Sequence, residues 1–465
     1  MSKFLTKIAT EAIADRSGRY ERFGLRENPF PSDPFVNRES QDSRLNGRIF
    51  ELNVRREEYE RLTNLFLKPP KGQPESPRLG FIVDNSYVGR GNGKTAFLVN
   101  VINLINADYN CSLSGGANRC FAVYISPQPG GRTKTFSSCL DQIFNSMIRQ
   151  SIIRDTLVTI YSMAASAVSP KCLDGMSDDE ISSKLLQMEW YESLGISLSA
   201  VYDTIFSMAG ARSLPVDFPL NTARRSLLPE IVSPQDISAY YAEFAKKGAS
   251  QLDFMFTDLI NFFKMAGFNG GFLFIDDFER IPDFQSYRQK RDFALEVRSC
   301  FFDGLYENAK QGFYTLSLVL HAGVQRLIQE AWQETGMEAR APMLMTPTTN
   351  HIIKFEKLTT ARARDLIARY VDEFATNPKK TATWPFSEPA LDRLAVLSEL
   401  NASRLLKLCY GVLDRASEDR SVAEIDVQFL DKLKTEGLLT DGQSVPLESI
   451  GDLDTVNLAV KAKEE

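Results

Sequence analysis

Histidine is nearly absent from this 465-residue chain, which holds only His321 and His351. The six cysteines (Cys111, Cys120, Cys139, Cys172, Cys300, Cys409) are scattered, with no Cys-x-x-Cys pair. A zinc module of the cysteine/histidine kind therefore lacks ligands, and free thiols in a reducing compartment are expected. No apolar run approaches the roughly 18–20 residues of a membrane-spanning helix. Lys7, Glu11, Asp15 and Arg16 interrupt the stretch where a secretory signal would need an apolar core. The expectation is a soluble, cytoplasmic protein without a membrane partner. Positive charge is not in excess either. The formal net charge is −6, so nucleic-acid binding has no global electrostatic basis. The local clusters Arg16, Arg19, Arg22, Arg26 and Arg362, Arg364, Arg369 are read as solvated helix faces. Internal repeats, low-complexity segments and a recognisable helix-turn-helix are also missing.

What is present centres on Leu79 to Ile105. The apolar run Leu79-Gly80-Phe81-Ile82-Val83 leads into Val88-Gly89-Arg90-Gly91-Asn92-Gly93-Lys94-Thr95-Ala96, which opens an apolar helix. Strand, glycine loop, Lys-Thr and helix form the layout of a phosphate-binding loop. Backbone N–H groups must approach phosphate oxygens closely, which a Cβ hinders, and a helix N-terminus favours negative charge. Lys94 would reach the β- and γ-phosphates of ATP, and the Thr95 hydroxyl would hold Mg²⁺. The usual pattern begins with glycine, where this loop has Val88.

A second anchor lies downstream. Phe272-Leu273-Phe274-Ile275 is bounded by Gly270-Gly271 and Asp276-Asp277, as a strand buried on both faces would be. Carboxylates at the carboxyl end of such a strand face the ligand crevice. Asp276 would orient Mg²⁺ or its water shell, and Asp277 would orient or deprotonate an attacking water. Glu279 could share the base role, or pair with Arg280 as a surface ion pair. Further strands are expected at 120–125, 314–321 and 352–355.

Residues 1–48 are read as a short amphipathic helix followed by a proline-rich clasp, with Pro29, Pro31 and Pro34 among Phe23, Phe30 and Phe35. Residues 49–355 form a nucleotide-binding α/β core with a mostly helical insertion at 155–245, where a protein partner would most easily be accommodated. Residues 356–435 form a helical lid, with Ser387 and Asn401 as helix caps, and 436–465 a loosely held tail.

Together these residues resemble the AAA+ and STAND branches of P-loop ATPases, in particular origin-recognition-like and transposition- or secretion-associated ATPases. Phe23-Gly24-Leu25-Arg26-Glu27-Asn28-Pro29-Phe30 resembles the N-terminal signature of the latter group. Asn53 to Leu62 is similar to the adenine-side box, with Arg55 where the family has glycine; Val54 and Arg56 would then lie beside the base. Ala266 to Asp277 also resembles ATPases of bacterial phage-exclusion systems. The likeness spans about residues 22–430 without the insertion. It implies an AAA+-like P-loop NTPase fold, a parallel sheet flanked by helices with a C-terminal helical lid. It also implies Mg²⁺ and ATP as cofactors, a homo-oligomer, and DNA or a protein as partner. His321, at the tip of a buried strand, would sense the γ-phosphate, although a lone histidine is equally a structural residue. Arg340 would act as a finger on a neighbouring subunit's nucleotide, and Arg404 as the sensor arginine of the lid, although Arg404 is equally read as a solvated helix arginine. Two alternatives stay open: a nucleotide-binding scaffold with negligible hydrolysis, and, with little support, a P-loop kinase.

Overall fold

The computed structural model describes residues 18–69, 77–84, 91–109, 119–211, 233–246, 248–306, 310–321, 325–343, 351–376 and 380–439. By contact the chain divides into two compact units: one of residues 57–89 and 98–355, the other of 1–56, 90–97 and 356–465. Each has its own apolar core among the described residues.

The first unit is built on a five-stranded sheet: β1 (Leu79–Asp84), β2 (Cys120–Ile125), β3 (Gly270–Ile275), β4 (Tyr314–Leu320) and β5 (Ile352–Phe355). The order is β2-β3-β4-β1-β5 and every pairing is parallel. β1, β3 and β4 are buried along their whole length, which is why they read as unbroken apolar runs. The register sets Val83 beside Leu320 and Ile275 beside Leu318, so the carboxyl ends of β1, β4 and β3 lie in a row. From β1 the chain crosses to β2 in one direction, and from β4 to β5 in the other. Right-handed crossovers then fall on opposite faces, and the ligand crevice of such a sheet opens at that switch, between β1 and β4. The architecture is an open, all-parallel α/β sheet, the kind expected from the sequence.

Gly80 is required by packing. A Cβ there would lie 2.2 Å from Cζ of Phe66, whose ring covers β1 from the turn Thr63–Leu67. The 155–245 stretch is helical where described, with helices Ile152–Val168, Asp178–Lys184, Met188–Ser193, Leu198–Ala211 and Pro234–Tyr240. Its apolar faces join the sheet's own core through Leu157, Tyr161, Tyr191 and Val201.

The second unit gathers helices Thr360–Phe374, Glu388–Leu397, Ala402–Glu418 and Val427–Thr435 around Ile367, Leu394, Leu405 and Leu430. The proline-rich segment packs into them. Phe30 lies edge-on to Phe386 with ring centroids 5.8 Å apart, and Asn28 Nδ2 donates to the Tyr410 carbonyl at 3.1 Å. Of the N-terminal arginines, Arg22 and Arg26 are exposed, as a solvated face would have them, and Arg19 is half-buried, but all three also touch the helices of this unit. Arg19 pairs with Asp414, Arg22 donates to the Ala416 carbonyl, and Arg26 stacks 4.5 Å from the Phe374 ring centroid. The expected helix over residues 1–20 lies mostly outside the described residues, as does the tail beyond 439. The helix capped by Ser387 stops at Leu397. Glu399 (φ 56°) and Leu400 (φ 61°) turn left-handed, and Leu400 N–H donates back to the Ala395 carbonyl at 2.8 Å.

Candidate functional site

In the sheet unit, the carboxyl ends of β1, β3 and β4 bring together Asp84, Asp276, Asp277, Glu279 and His321. Asp276 is buried, and both its oxygens accept hydrogen bonds. Oδ2 takes the Tyr124 hydroxyl at 2.8 Å, and Oδ1 takes the Asp277 N–H at 3.0 Å. These two bonds fix the carboxylate at the strand end. Asp277 adopts a left-handed backbone (φ 48°, ψ 45°), unusual for a non-glycine residue but tolerated by aspartate. That twist starts the short 3-10 turn Phe278–Arg280, and Arg280 folds back to pair with Asp277 Oδ2 at 2.5 Å. The expected Glu279–Arg280 surface pair is therefore replaced. In a 3-10 turn, neighbouring side chains diverge while residues three apart lie over one another, so Asp277 receives the guanidinium.

Glu279 points inward instead. His321 follows β4 directly and is held between carboxylates: Nδ1 lies 3.3 Å from Asp84 Oδ2, and Nε2 lies 3.4 Å from Asp277 Oδ1 and 3.1 Å from Glu279 Oε1. Asp84 and Glu279 are nearly inaccessible, with side-chain exposures of 1% and 6%. Asp84 was not singled out in the sequence. The only signal was that it ends an apolar strand, as Asp276 follows one.

In the second unit lies the end of the glycine loop. Val88, Gly89 and Arg90 are outside the described residues. Gly91 (φ 109°) and Gly93 (φ 84°) both take left-handed conformations that a side chain would strain. Lys94 opens the helix Lys94–Asn106 and is buried, followed by the half-buried Thr95 and Ala96. This is the expected loop-to-helix turn, with Lys94 and Thr95 on the helix's first turn.

Two elements grip that turn. Arg55, 2% exposed, donates from one guanidinium nitrogen to the Asn92 carbonyl at 2.7 Å and from another to the Glu356 carbonyl at 2.8 Å. On the other side, the Ser403 N–H donates to the Gly91 carbonyl at 2.9 Å, and Asn401 Nδ2 to Asn92 Oδ1 at 3.2 Å. A Cβ on Gly91 would come within 2.6 Å of Ser403 Cβ. Arg55, a departure from the adenine-side pattern by sequence, is thus a positioning residue for the loop. Nothing local in the sequence could reveal this, because its partners are far along the chain. Val54 is buried in this unit's core, while Arg56 is exposed at a helix start.

Asn401 caps its helix as expected, accepting the Arg404 N–H at 3.1 Å. The Arg404 side chain, partly exposed, pairs with Glu399 at 3.0 Å. Arg340 lies in the sheet unit on an exposed loop, with a loose 3.9 Å contact to Asp303. No helix among the described residues is long and apolar enough to cross a membrane. Cys120, Cys139, Cys172, Cys300 and Cys409 are free thiols, and burial pushes Cys139 and Cys300 up to about 12.

No protein-family model matches this chain, and no curated protein does. Among solved structures it is similar to the Orc1 protein of Aeropyrum pernix, solved in complex with DNA. That match has 12% identity and a TM-score of 0.36, covering 82% of this chain and 65% of that one. It is also similar to the Walker-type ATPase PABY2304 of Pyrococcus abyssi, with 11% identity, a TM-score of 0.35, and coverage of 83% and 73%. The chain spans just under two thirds of the length of the Orc1 protein.

Proposed function

We propose that the chain is a Mg²⁺-dependent ATPase of the AAA+ type, working as an oligomeric switch or assembly factor. The observation that carries this reading is one chain order on one sheet. β1 runs into a glycine loop ending in Lys94-Thr95 at a helix start, and β3, two strands away, ends in Asp276-Asp277. The left-handed glycines and the helix N-terminus fit a phosphate chain, and the oxygens of Asp276 and of Thr95 are each of the hard kind that Mg²⁺ takes. When bound, Mg²⁺ would supply charge neutralisation at the phosphate oxygens. Lys94 would bind the β- and γ-phosphates, Asp277 would orient and deprotonate the attacking water, and His321 would hold Asp277 in place. Gly91, Asn92, Gly93 and Ala96 would offer backbone N–H groups, as Val88, Gly89 and Arg90 would in the sequence pattern. Val54 and Arg56 would lie on the adenine side. Arg404, released from Glu399, would answer the γ-phosphate from the lid, and Arg340 would reach a neighbouring subunit's nucleotide.

A DNA or protein partner, the latter through the 155–245 helices, follows from the resemblance and not from charge. So does a cytoplasmic setting in a mobile-element or phage-defence system.

The scaffold reading keeps support from one feature: Asp277 is already engaged by Arg280 and His321. Phosphate release by purified protein, with and without DNA, separates the two. Turnover above that of Lys94→Ala supports the ATPase; ATP binding without turnover leaves the scaffold. Mass measurement with ATP tests the finger, which a strictly monomeric ATP-bound protein would eliminate.

A further inference from the structure

We infer that Ser403 is a positioning residue of the nucleotide site, aiming the phosphate loop through the backbone of the lid helix. This role rests on the nucleotide reading and goes beyond it, since the sequence singles out Arg404 instead.

Ser403 is the second residue of the helix Ala402–Glu418, and a helix start leaves its first N–H groups without partners inside the helix. Asn401 caps one of them, accepting the Arg404 N–H at 3.1 Å. The Ser403 N–H is spent on the loop, donating to the Gly91 carbonyl at 2.9 Å. Its hydroxyl donates to the Pro34 carbonyl at 3.3 Å, which ties the same residue to the proline-rich segment. The approach is close: a Cβ on Gly91 would lie 2.6 Å from Ser403 Cβ and 2.9 Å from Asn401 Oδ1. Arg404, by contrast, turns to Glu399 at 3.0 Å.

Peptide geometry gives these contacts their consequence. In a planar trans peptide the carbonyl and the following N–H point in opposite directions. Fixing the Gly91 carbonyl on the lid helix therefore turns the Asn92 N–H away from that helix. The Asn92 carbonyl is fixed on Arg55 at 2.7 Å, which turns the Gly93 N–H away from Arg55. The Gly93 carbonyl accepts the Phe97 N–H at 3.0 Å, at the start of the helix that opens with Lys94. Three successive carbonyls thus face protein donors. The Gly93 N–H donates to no atom among the described residues, and it stands directly before Lys94 as the donor for a phosphate oxygen. Without the Ser403 donor the Gly91 peptide could rotate, and the amides after it would lose their aim.

The test compares the full chain with three variants. Ser403→Pro removes the N–H at a helix position that proline already holds elsewhere in this chain, as Pro389 does in the helix Glu388–Leu397. It should weaken Mg²⁺-ATP about 10–100-fold in calorimetry, the range for losing a hydrogen bond to a charged group. Ser403→Val keeps the N–H but crowds Gly91; it should weaken ATP in the same direction, and carries the test if the proline variant does not fold. Ser403→Ala keeps the N–H and the space, and should cost less than about 5-fold. For ADP bound at saturation, the β-phosphorus resonance should move towards its free position in the proline and valine variants and not in Ser403→Ala. A merely structural residue would lower affinity without moving that resonance. Wild-type affinity in both Ser403→Pro and Ser403→Val would overturn the assignment. So would an equal loss in Ser403→Ala, or a bound resonance that stays in place. Lys94→Ala keeps the two readings apart. If it weakens ATP and the Ser403 variants do not, the role of Ser403 fails alone; if wild type binds no ATP, the nucleotide reading fails with it.

Discussion

The two regions that carry the candidate chemistry are held in place by opposite means. The strand-end cluster of Asp84, Asp276, Asp277, Glu279 and His321 is crowded with ionisable groups, three of them carboxylates within 3.4 Å of one imidazole. The loop end at Gly91–Lys94 is held by neutral carbonyls, each accepting from a placed donor: Asn92 from Arg55 and Gly91 from Ser403. Groups in the first region are of the kind that act on a cation or a phosphate. Groups in the second are finished hydrogen bonds whose loss leaves buried polar atoms exposed to no solvent. Substitutions should therefore separate the regions, altering chemistry in the first and stability in the second.

The largest contrast should come from Asp277→Asn. Steady-state phosphate release should fall about 10²–10⁴-fold, the range for losing a general base, with ATP affinity nearly intact. Its melting temperature should move little, because Asp277 is partly exposed and its pair with Arg280 is of the weak surface class. A large loss of stability would break the comparison. Arg55→Ala should do the reverse, costing about 3 kcal/mol in chemical denaturation as the buried Asn92 carbonyl and the part-buried Glu356 carbonyl lose a charged donor. Gly91→Ala should cost about 2 kcal/mol, from left-handed backbone strain and the approach to Ser403. Scanning calorimetry would detect it, and an unchanged profile would mean that Ser403 yields easily.

The smallest effect concerns pH. Burial, then the neighbouring Asp253, pushes the Asp258 carboxyl from its ordinary value up to about 6. Its charge is thus held at a cost in the folded chain above pH 6, a cost relieved as the pH falls from about 6 towards the ordinary value near 3.8. Asp258→Asn should raise the melting temperature at pH 8, by less at pH 5, and not at all near pH 4. An equal gain at every pH would assign the effect to packing.

Much of this architecture was legible because it is written in short-range pattern. The runs at β1, β3 and β4 are unbroken because parallel strands are covered on both faces, and Ser387 and Asn401 announce helices by capping. The carboxylates Asp276 and Asp277 were legible by their place after a strand. What escaped was set by distance or by side-chain direction. Arg55 finds Asn92 and Glu356 through the fold alone, and Glu279 turns from Arg280 to His321 because Asp277 is left-handed. Arg19, Arg22 and Arg26 have the composition of a solvated face, yet Arg19 and Arg22 donate to the lid helices and Arg26 stacks on one of their rings.

Equilibrium binding of a fluorescent ATP analogue to wild type and to Lys94→Ala, with Mg²⁺ present, tests the central claim most directly. One saturable site per chain, weakened at least about 10-fold in the variant, is the predicted result. Equal binding by the two proteins, or none by wild type, would contradict it.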